Sequence, residues 1–287
     1  ISQGIDPALR SVVFALAFGI GLIIIARQLK ISAIATLLVA GVALGPEFLG
    51  LIQPEALGGG LETIVSLGVA VILFEGGLSL DIHGYRQTSR TITRLLSLGA
   101  AVTWLFTALL IWLIFHFPPF FSLLAGSLVM VTGPTVINPL LKRLKVKRSV
   151  ATVLEAEGVL IDAVGAVVAT VALETALSPA HGTPIVWLWH VVSRLGFGAL
   201  LGSAVGVTLL FLYRVRRLIP EGTENVFTLA VVLALFQGSN LVLPESGIAA
   251  VTTAGIIIGN FRTHALQDLM EFKEEMTFLL IGMLFVL

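Results

Sequence analysis

The chain is 287 residues long, with 57% apolar residues, 12% charged residues and a formal net charge of zero. Soluble domains carry about 25% charged residues, so this composition and a mean hydropathy of +1.03 predict a membrane protein. The lack of cysteine in the sequence excludes disulfides, thiolate chemistry and cysteine-bound metals. Because the chain starts at Ile1 and stops inside the apolar run LLIGMLFVL, we expect it to be part of a longer protein.

Apolar segments long enough to cross a bilayer, which takes roughly 20 residues, follow one another along the whole chain. They are predicted at residues 11–29, 31–50, 61–80, 93–116, 120–141, 150–174, 185–212, 225–243 and 246–260. A further segment begins near residue 274 and reaches the end of the chain. The sequence therefore predicts an all-α, multi-pass membrane protein.

The basic residues are distributed unevenly between the two sets of connections. Nearly all of the 17 lysines and arginines fall in alternate connections, and the largest group is KRLKVKR at residues 142–148. The opposite connections hold Glu47, Glu55, Glu174 and Glu245. By the positive-inside rule, this pattern predicts a cell-membrane protein whose N-terminus lies outside.

Acidic side chains occur inside two stretches that are otherwise apolar. Asp162 lies in EAEGVLIDAVG, near the middle of the sixth segment, and Glu157 lies closer to the start of that segment. Glu75, in LFEGGLSLD, lies near the end of the third segment. A charge at mid-bilayer costs about 2.5–3.5 kcal/mol on insertion scales, so such residues are candidates for function. Glu157 and Asp162 point about 140° apart on a helix, so we expect them to have different partners.

The fifth segment contains VMVTGPTVINPL, in which Pro134 lacks an N–H and disfavours helical geometry at Gly133. One interpretation is a proline kink of the kind common in membrane helices. The other is a helix break whose free backbone groups contribute to an ion site, as in transporters. Thr132 and Asp162 each lie about twelve residues from the start of their segments, so we expect them at similar depth.

Oxygen atoms are the ligands that hard cations prefer, and burial disfavours an uncompensated carboxylate charge. A lone carboxylate in such surroundings holds a proton or a cation, but not both. Exchange of the two occupants at Asp162 would couple one gradient to the other. The residues alone therefore predict antiport by competition.

The seventh segment carries two further features. Arg194 is the one basic residue that lies well inside a segment and not near its end, and it is predicted either to extend towards the interface or to face a pore. Gly198, Gly202 and Gly206 recur at four-residue spacing, which lets two helices approach closely. That approach could occur within one subunit or between two.

The pieces LFEGGLSLD, VTGPTV, EGVLID and SGIAAVTTAGIIIGN resemble the monovalent cation:proton antiporters of the NhaP type, which are related to the sodium/proton exchangers. The resemblance implies a homodimer with thirteen helices in two inverted repeats, of which residues 1–287 would be the first part. It implies a moving core that includes residues 93–174, and dimerisation elements at 11–80 and 185–287. A nucleotide-binding regulatory domain is expected beyond residue 287.

The same resemblance implies a secondary transporter rather than an enzyme, with Na⁺ or K⁺ and H⁺ as substrates, no cofactor and no nucleic-acid partner. Asp162 is similar to the family's ion- and proton-binding aspartate, and Thr132 to the threonine that offers an oxygen to the ion. Glu157 is similar to a glutamate that pairs with an arginine from a later helix, and Glu75 to an acid near the cytoplasmic funnel. Gly133 replaces the acid of the usual Thr-Asp-Pro motif.

Two further residues depart from the family pattern, since Gly158 and Ile161 stand where a serine and an asparagine are usual. Fewer oxygens then surround the ion, which leaves the choice between sodium and potassium open. A single central carboxylate predicts electroneutral one-for-one exchange. A cation channel or uniporter and a degenerate transporter-fold sensor remain alternatives. An intramembrane carboxylate enzyme needs two aspartates close together, and Asp162 is the one aspartate deep in a segment.

Overall fold

The structure is a computed structural model that describes residues 6–133, 137, 141, 146–177, 184–214, 223–261 and 275–287. Within these residues the regular structure is entirely helical. The elements are α1 (Pro7–Leu29), α2 (Ala33–Leu44), a 3-10 turn (Pro54–Leu57), α3 (Gly59–Ser79), α4 (Ile82–Arg94), a π-helical segment (Leu95–Gly99), α5 (Ala100–Phe115), α6 (Pro119–Val129), α7 (Arg148–Leu177), α8 (Pro184–Arg214), α9 (Glu224–Val242), α10 (Ser246–Gly259) and α11 (Glu275–Leu284).

In the described part of the chain, six helical stretches are long and apolar enough to cross a membrane. They are Pro7–Leu29, Gly59–Ser79, Thr88–Phe115, Arg148–Leu177, Ile185–Arg214 and Glu224–Val242. The other predicted segments contain the shorter apolar helices α2, α6, α10 and α11. The predicted all-α, multi-pass class is confirmed.

The start of the fourth predicted segment differs from the structure. Residues 82–92 were expected to form a connection, but α4 already begins at Ile82 and continues through the π-helical segment into α5. Ile92 of α4 is fully buried together with Leu80, and both pack against Ala156 and Val159 of α7. Because most of α4 is polar, a search for consecutive apolar residues does not detect its one apolar face.

Several helix ends follow from local chemistry. Asp6 accepts a hydrogen bond from the Ala8 N–H at 3.0 Å, with a proline at the first helical position, so α1 begins with a standard N-cap. The Ser32 hydroxyl likewise accepts from the Ala35 N–H at the start of α2. α9 ends at Val242, two residues before Pro244, which disfavours helix at the preceding residue.

Contacts within the chain define two compact units, residues 1–72 with 267–287, and residues 73–266. The first unit has an apolar core in which Ala15 and Ile23 of α1 and Leu37 of α2 are buried with Ile281 of α11. A side chain at Gly19 would collide with backbone atoms of Gly282, so α1 and α11 approach closely there. The predicted division into a 93–174 core and a dimerisation part remains a prediction.

In the second unit, the end of α3 and α10 cross at backbone contact. A side chain at Gly77 would collide with the Thr252 carbonyl, and one at Gly255 with the Phe74 carbonyl. Small residues at such a crossing allow this close approach. The motifs LFEGGLSLD and SGIAAVTTAGIIIGN, which lie far apart in sequence, therefore pack against each other.

Asn260 fixes the α3–α4 turn to the end of α10. Its Nδ2 donates to the carbonyls of Leu80 and Ile256, both at 2.8 Å, and its Oδ1 accepts from the Ile82 N–H at 2.8 Å. The Asn260 amide thus uses both its donors and its acceptor. Its backbone partners lie at the α3–α4 turn and at the end of α10, where backbone groups lack partners within a helix. Asn260 therefore orients the start of α4, which packs on α7.

The glycines of α8 pack within the chain. A side chain at Gly198 would collide with the Ser246 carbonyl, and one at Gly202 with the Ala250 carbonyl, both at the beginning of α10. Of the two interpretations of this glycine series, the structure supports helix packing inside one subunit for these two positions. Arg194, one turn earlier on α8, is consequently held beside the α9–α10 connection.

Candidate functional site

The helix that contains VMVTGPTV is interrupted at the predicted position. α6 ends at Val129, Met130 closes it through a hydrogen bond to the Gly126 carbonyl, and residues 131–133 are not helical. Gly133 lies at the end of this non-helical stretch, and Pro134 lies outside the described residues. The change of geometry before Pro134 is what the steric demand of proline on the preceding residue predicts.

The acids of the sixth predicted segment lie on α7, a 30-residue helix. Glu157 and Asp162 are both half-buried, whereas the neighbouring Ile161 is only 1% exposed. Within the described residues, the Asp162 carboxylate accepts no hydrogen bond and forms no ion pair. Ile161 is thus part of the packed interior, on a different face from that of Asp162.

Thr132 reaches Glu157 from the interrupted helix. The Thr132 hydroxyl donates to the Glu157 carboxylate, whose two oxygens both lie 2.9 Å from Thr132 Oγ1. The sequence had suggested an arginine partner for Glu157 and an ion-binding role for Thr132, and it did not suggest this contact. The hydrogen bond connects the non-helical residues of one helix directly to α7.

Gly165 provides the second contact between the interruption and α7. The space that a side chain would occupy at Gly165 is filled by the Val131 side chain, with the Met130 methyl group 3.7 Å from the same position. On an ideal helix the direction of Gly165 lies between those of Glu157 and Asp162, about 60° from Asp162. Residues 131 and 132 therefore run alongside the stretch of α7 that contains Asp162.

An apolar layer follows on α7 beyond this region, towards Glu174. Met130 and the α7 residues Val167, Val168 and Val171 are buried together with Val191 of α8. Trp104 of α5 and Trp187 of α8 pack on this layer and stack on each other, with 5.1 Å between ring centroids.

Trp104 also contacts α6, the helix that ends at the interruption. Its Nε1–H donates to the Leu123 carbonyl of α6 at 2.8 Å, which attaches α6 to α5 before the break. Val167, Val168 and Val171 stand at i, i+1 and i+4 on α7, a spacing that places them on one helical face. The involvement of the two tryptophans depended on which helices are neighbours.

Arg194 lies at the end of this layer, with 5% of its surface exposed. Its Nη2 donates to both carboxylate oxygens of Glu174, at 2.8 and 2.9 Å, so the structure supports a paired arginine inside the protein. Glu174 itself is about half exposed and lies in the last turn of α7. The sequence had placed Glu174 in a connection and gave no partner for Arg194.

Glu75 lies on the last part of α3 and is half-buried. Its backbone carbonyl accepts a hydrogen bond from the Ser79 hydroxyl at 3.1 Å. Gly77, two residues after Glu75, packs against α10, which fixes the backbone near this position. Its role near a cytoplasmic funnel remains a prediction.

The chain is similar to known proteins in sequence and in fold. The family "Sodium/hydrogen exchanger, transmembrane" matches residues 13–287. The "Probable Na(+)/H(+) antiporter 2" of Methanocaldococcus jannaschii is 24% identical over 278 residues, which cover 92% of this chain and 64% of that protein. The "K(+)/H(+) antiporter NhaP2" of Shewanella oneidensis is 28% identical over 227 residues, which cover 78% of this chain and 39% of that protein.

Among solved structures, the sodium proton antiporter MjNhaP1 from Methanocaldococcus jannaschii at pH 8 is similar in fold, with a TM-score of 0.83 and 22% identity. The similarity covers 96% of this chain and 70% of that one. The chain thus spans less than two thirds of the length of the curated relatives described above. Because the family match covers nearly the whole chain, we conclude that this chain belongs to the sodium/hydrogen exchanger family.

Proposed function

We propose that this chain forms the ion-binding part of a secondary antiporter that exchanges Na⁺ or K⁺ for H⁺ across a cell membrane. Asp162 is the proposed site at which the cation and the proton compete. The relatives are named as Na⁺/H⁺ and K⁺/H⁺ antiporters, which is consistent with this function. No enzymatic step is included in this proposal.

The observation that carries the proposal is the pair of contacts between the interrupted helix and α7. Thr132 bonds to Glu157 and Val131 packs on Gly165, and Asp162 lies between those two positions of α7 in sequence. Non-helical backbone at membrane depth occurs where it is buried in protein or lines a water-filled cavity. An acid beside such backbone has the surroundings that an ion site in a transporter requires.

Competition follows from the chemistry of one carboxylate. The Asp162 oxygens can coordinate a dehydrated monovalent cation, or one of them can carry a proton, and the first state excludes the second. Thr132 can add a neutral oxygen to the cation, because its hydroxyl accepts a cation with a lone pair while it donates its proton to Glu157. Release of the cation when Asp162 is protonated is the step that couples the two fluxes.

The departures from the family pattern limit the ligand set. Gly133 offers no side-chain oxygen, and the buried Ile161 offers none either. We therefore propose a site with few protein oxygens, in which the cation keeps some of its water. One central carboxylate supports electroneutral one-for-one exchange, and the choice between Na⁺ and K⁺ is left to experiment.

The test is cation-induced collapse of an imposed pH gradient in proteoliposomes, followed with a pH-sensitive dye. Sodium, potassium and lithium are compared over a range of pH. Asp162→Asn should abolish the signal for every cation while the protein keeps its melting temperature and its elution volume. Glu62→Gln, which removes an exposed acid in the first turn of α3, is the matched control and should keep the signal.

Two results would contradict this function. Wild-type transport by Asp162→Asn would remove that residue from the site. Cation uptake that neither responds to a pH jump nor moves protons would instead favour the channel or uniporter. The homodimer, the outside location of the N-terminus and the plasma-membrane location belong to the same proposal. The first is tested by the mass of the purified protein, and the other two by labelling of intact cells.

A further inference from the structure

Three side chains form a cluster at the end of α7 that lies away from Thr132. This Arg194 cluster consists of Arg194 on α8, Glu174 in the last turn of α7, and Glu245 in the α9–α10 connection. Glu174 follows Asp162 by about 18 Å along the helix axis. None of the three belongs to the ion site proposed above.

Arg194 has more buried donors than acceptors. Its Nη2 donates to Glu174, but its Nε and Nη1 are buried and have no hydrogen-bond partner among the described residues. A guanidinium carries five N–H donors, and a buried donor without an acceptor is costly. The position of Arg194 therefore suits a second acceptor.

Glu245 is a second carboxylate within range of the charge of Arg194. Burial raises the pKa of the Glu245 carboxyl above its usual range, the Arg194 guanidinium opposes that rise, and the Glu174 carboxylate adds to it. Glu245 is half-buried on left-handed backbone, with φ of 63°. A hydrogen bond spans the turn that contains Glu245. The Gly247 N–H at the start of α10 donates to the Asn240 side-chain oxygen of α9 at 2.7 Å.

Arg194 and Glu245 lie on elements that approach each other at backbone contact. Gly198 and Gly202 of α8 contact backbone of α10 directly after Glu245, and in this inference α8 and α10 move together as one body. α7 meets α8 differently, through apolar side chains and through the Glu174–Arg194 pair. A contact between Arg194 and Glu245 would therefore stay within one body, whereas the present pair connects that body to α7.

Opening of this end of α7 requires a new partner for Arg194. An exchanger with one site must expose that site to one side at a time, since access from both sides would let ions leak. In this inference the buried apolar layer and the Glu174–Arg194 pair are the barrier at the Glu174 end. Because Arg194 itself is buried, loss of Glu174 without a replacement would leave its charge uncompensated, which is unfavourable.

We propose that Arg194 exchanges Glu174 for Glu245 when the Glu174 end of α7 opens, so that its charge stays neutralised in both states. This inference rests on the proposed function, because it assigns Arg194 to a step of that transport cycle. Arg194 is then a positioning residue, which acts on Asp162 through α7 and does not touch the ion. Glu245 accepts no hydrogen bond from Arg194 in the closed state described here. It becomes the partner of Arg194 in the open state.

The experiment measures opening directly. The 287 residues contain no cysteine, so Val171→Cys places the one thiol among these residues in the apolar layer. Val171 is one turn from Glu174 and its side chain is now 2% exposed. Membrane vesicles of the orientation that presents this end to the medium are treated with an impermeant maleimide. The labelling rate then reports how often the layer opens, and dye-monitored exchange is measured in parallel.

Glu245→Gln is the decisive variant. This substitution removes no hydrogen bond of the described structure, but it removes the partner of Arg194 in the open state. Labelling and exchange should therefore both slow by about tenfold or more, which is within the usual range of coupling between sites. Glu174→Gln weakens the closed state instead and should speed labelling. Glu55→Gln, an exposed acid of the first unit, is the control and should change neither rate.

Labelling of the Glu245→Gln protein at the parent rate would overturn the inference, as would slower labelling of Glu174→Gln. The melting temperature of Glu245→Gln should be unchanged or higher, so slow labelling by a folded protein supports the exchange of partners. The two proposals can fail separately. If the parent protein shows no coupled cation and proton movement, the proposed function fails, while the labelling rates still test the role of Arg194.

Discussion

Replacing Gly165 by alanine should disturb the contact that holds the interrupted helix beside Asp162. An added Cβ at this position overlaps Cγ2 of Val131. Valine is branched at Cβ and restricted to few rotamers, so its side chain cannot turn away freely. The backbone at residues 131 and 132 must then shift, and Thr132 with it.

The magnitude follows from two opposing effects. Inserting a methyl group into a packed interior costs about 1–3 kcal/mol, whereas alanine is favoured over glycine inside a helix by about 1 kcal/mol. The net loss of stability for Gly165→Ala is therefore up to about 2 kcal/mol. Exchange activity should fall by more than stability does, because Thr132 also moves away from Glu157.

The assay is the melting temperature of the purified protein, combined with exchange in proteoliposomes. Gly238→Ala on α9 is the matched control, since no atom lies within 4 Å of the added methyl group, and it should not destabilise the protein. Val131→Ala removes the group that collides, so the double variant should recover most of the loss. A coupling of about 1–2 kcal/mol is expected for residues in contact. Additive effects of the two substitutions would refute the reasoning.

Three further predictions concern other contacts. Thr132→Val should lower stability by about 1 kcal/mol, because Glu157 loses a hydrogen bond, while Thr132→Ser should keep it; equal melting temperatures would argue against the bond. Asn260→Ala should cost about 2–3 kcal/mol through three lost backbone bonds, and a smaller effect than that of Thr132→Val would contradict the role of Asn260. The raised pKa of Glu245 means that the folded state holds this proton more tightly than the unfolded chain does. Stability should therefore fall as pH rises from the usual glutamate range through the raised pKa, and Glu245→Gln should reduce that slope of melting temperature against pH.

The helices could be predicted from the sequence because their signal is local. Apolar runs identified the helices of the described structure except α4, which is too polar to be counted as an apolar run. The glycine series on α8 correctly indicated close helix packing. The lengths of α2 and α6 could not be obtained by counting apolar residues. Gly45 and Pro46 follow α2, and the end of α6 precedes Gly133, so turn chemistry shortens both helices although the surrounding residues remain apolar.

The site was only partly predictable, for a different reason. The helix interruption beside Thr132 and the unusual acid at position 162 are each features of a single segment. They can therefore be recognised from the sequence of that segment alone. The Thr132–Glu157 and Arg194–Glu174 pairs join different helices, and their partners depend on which helices become neighbours. Residue spacing in one sequence does not show which helices become neighbours. Arg194 was therefore recognised as unusual, but its partner Glu174 could not be predicted.

A single helix connects all of these features. Along α7 lie Glu157, bonded to the interrupted helix, then Asp162, then Gly165 against Val131, then the apolar layer, and finally Glu174 on Arg194. An α-helix of 30 residues is a stiff element about 45 Å long. Because the helix is stiff, a tilt at Glu174 would also move the carboxylate of Asp162. Under the two proposals, ion occupancy at Asp162 and the partner of Arg194 would therefore be mechanically linked, although the two side chains are not in contact in this structure.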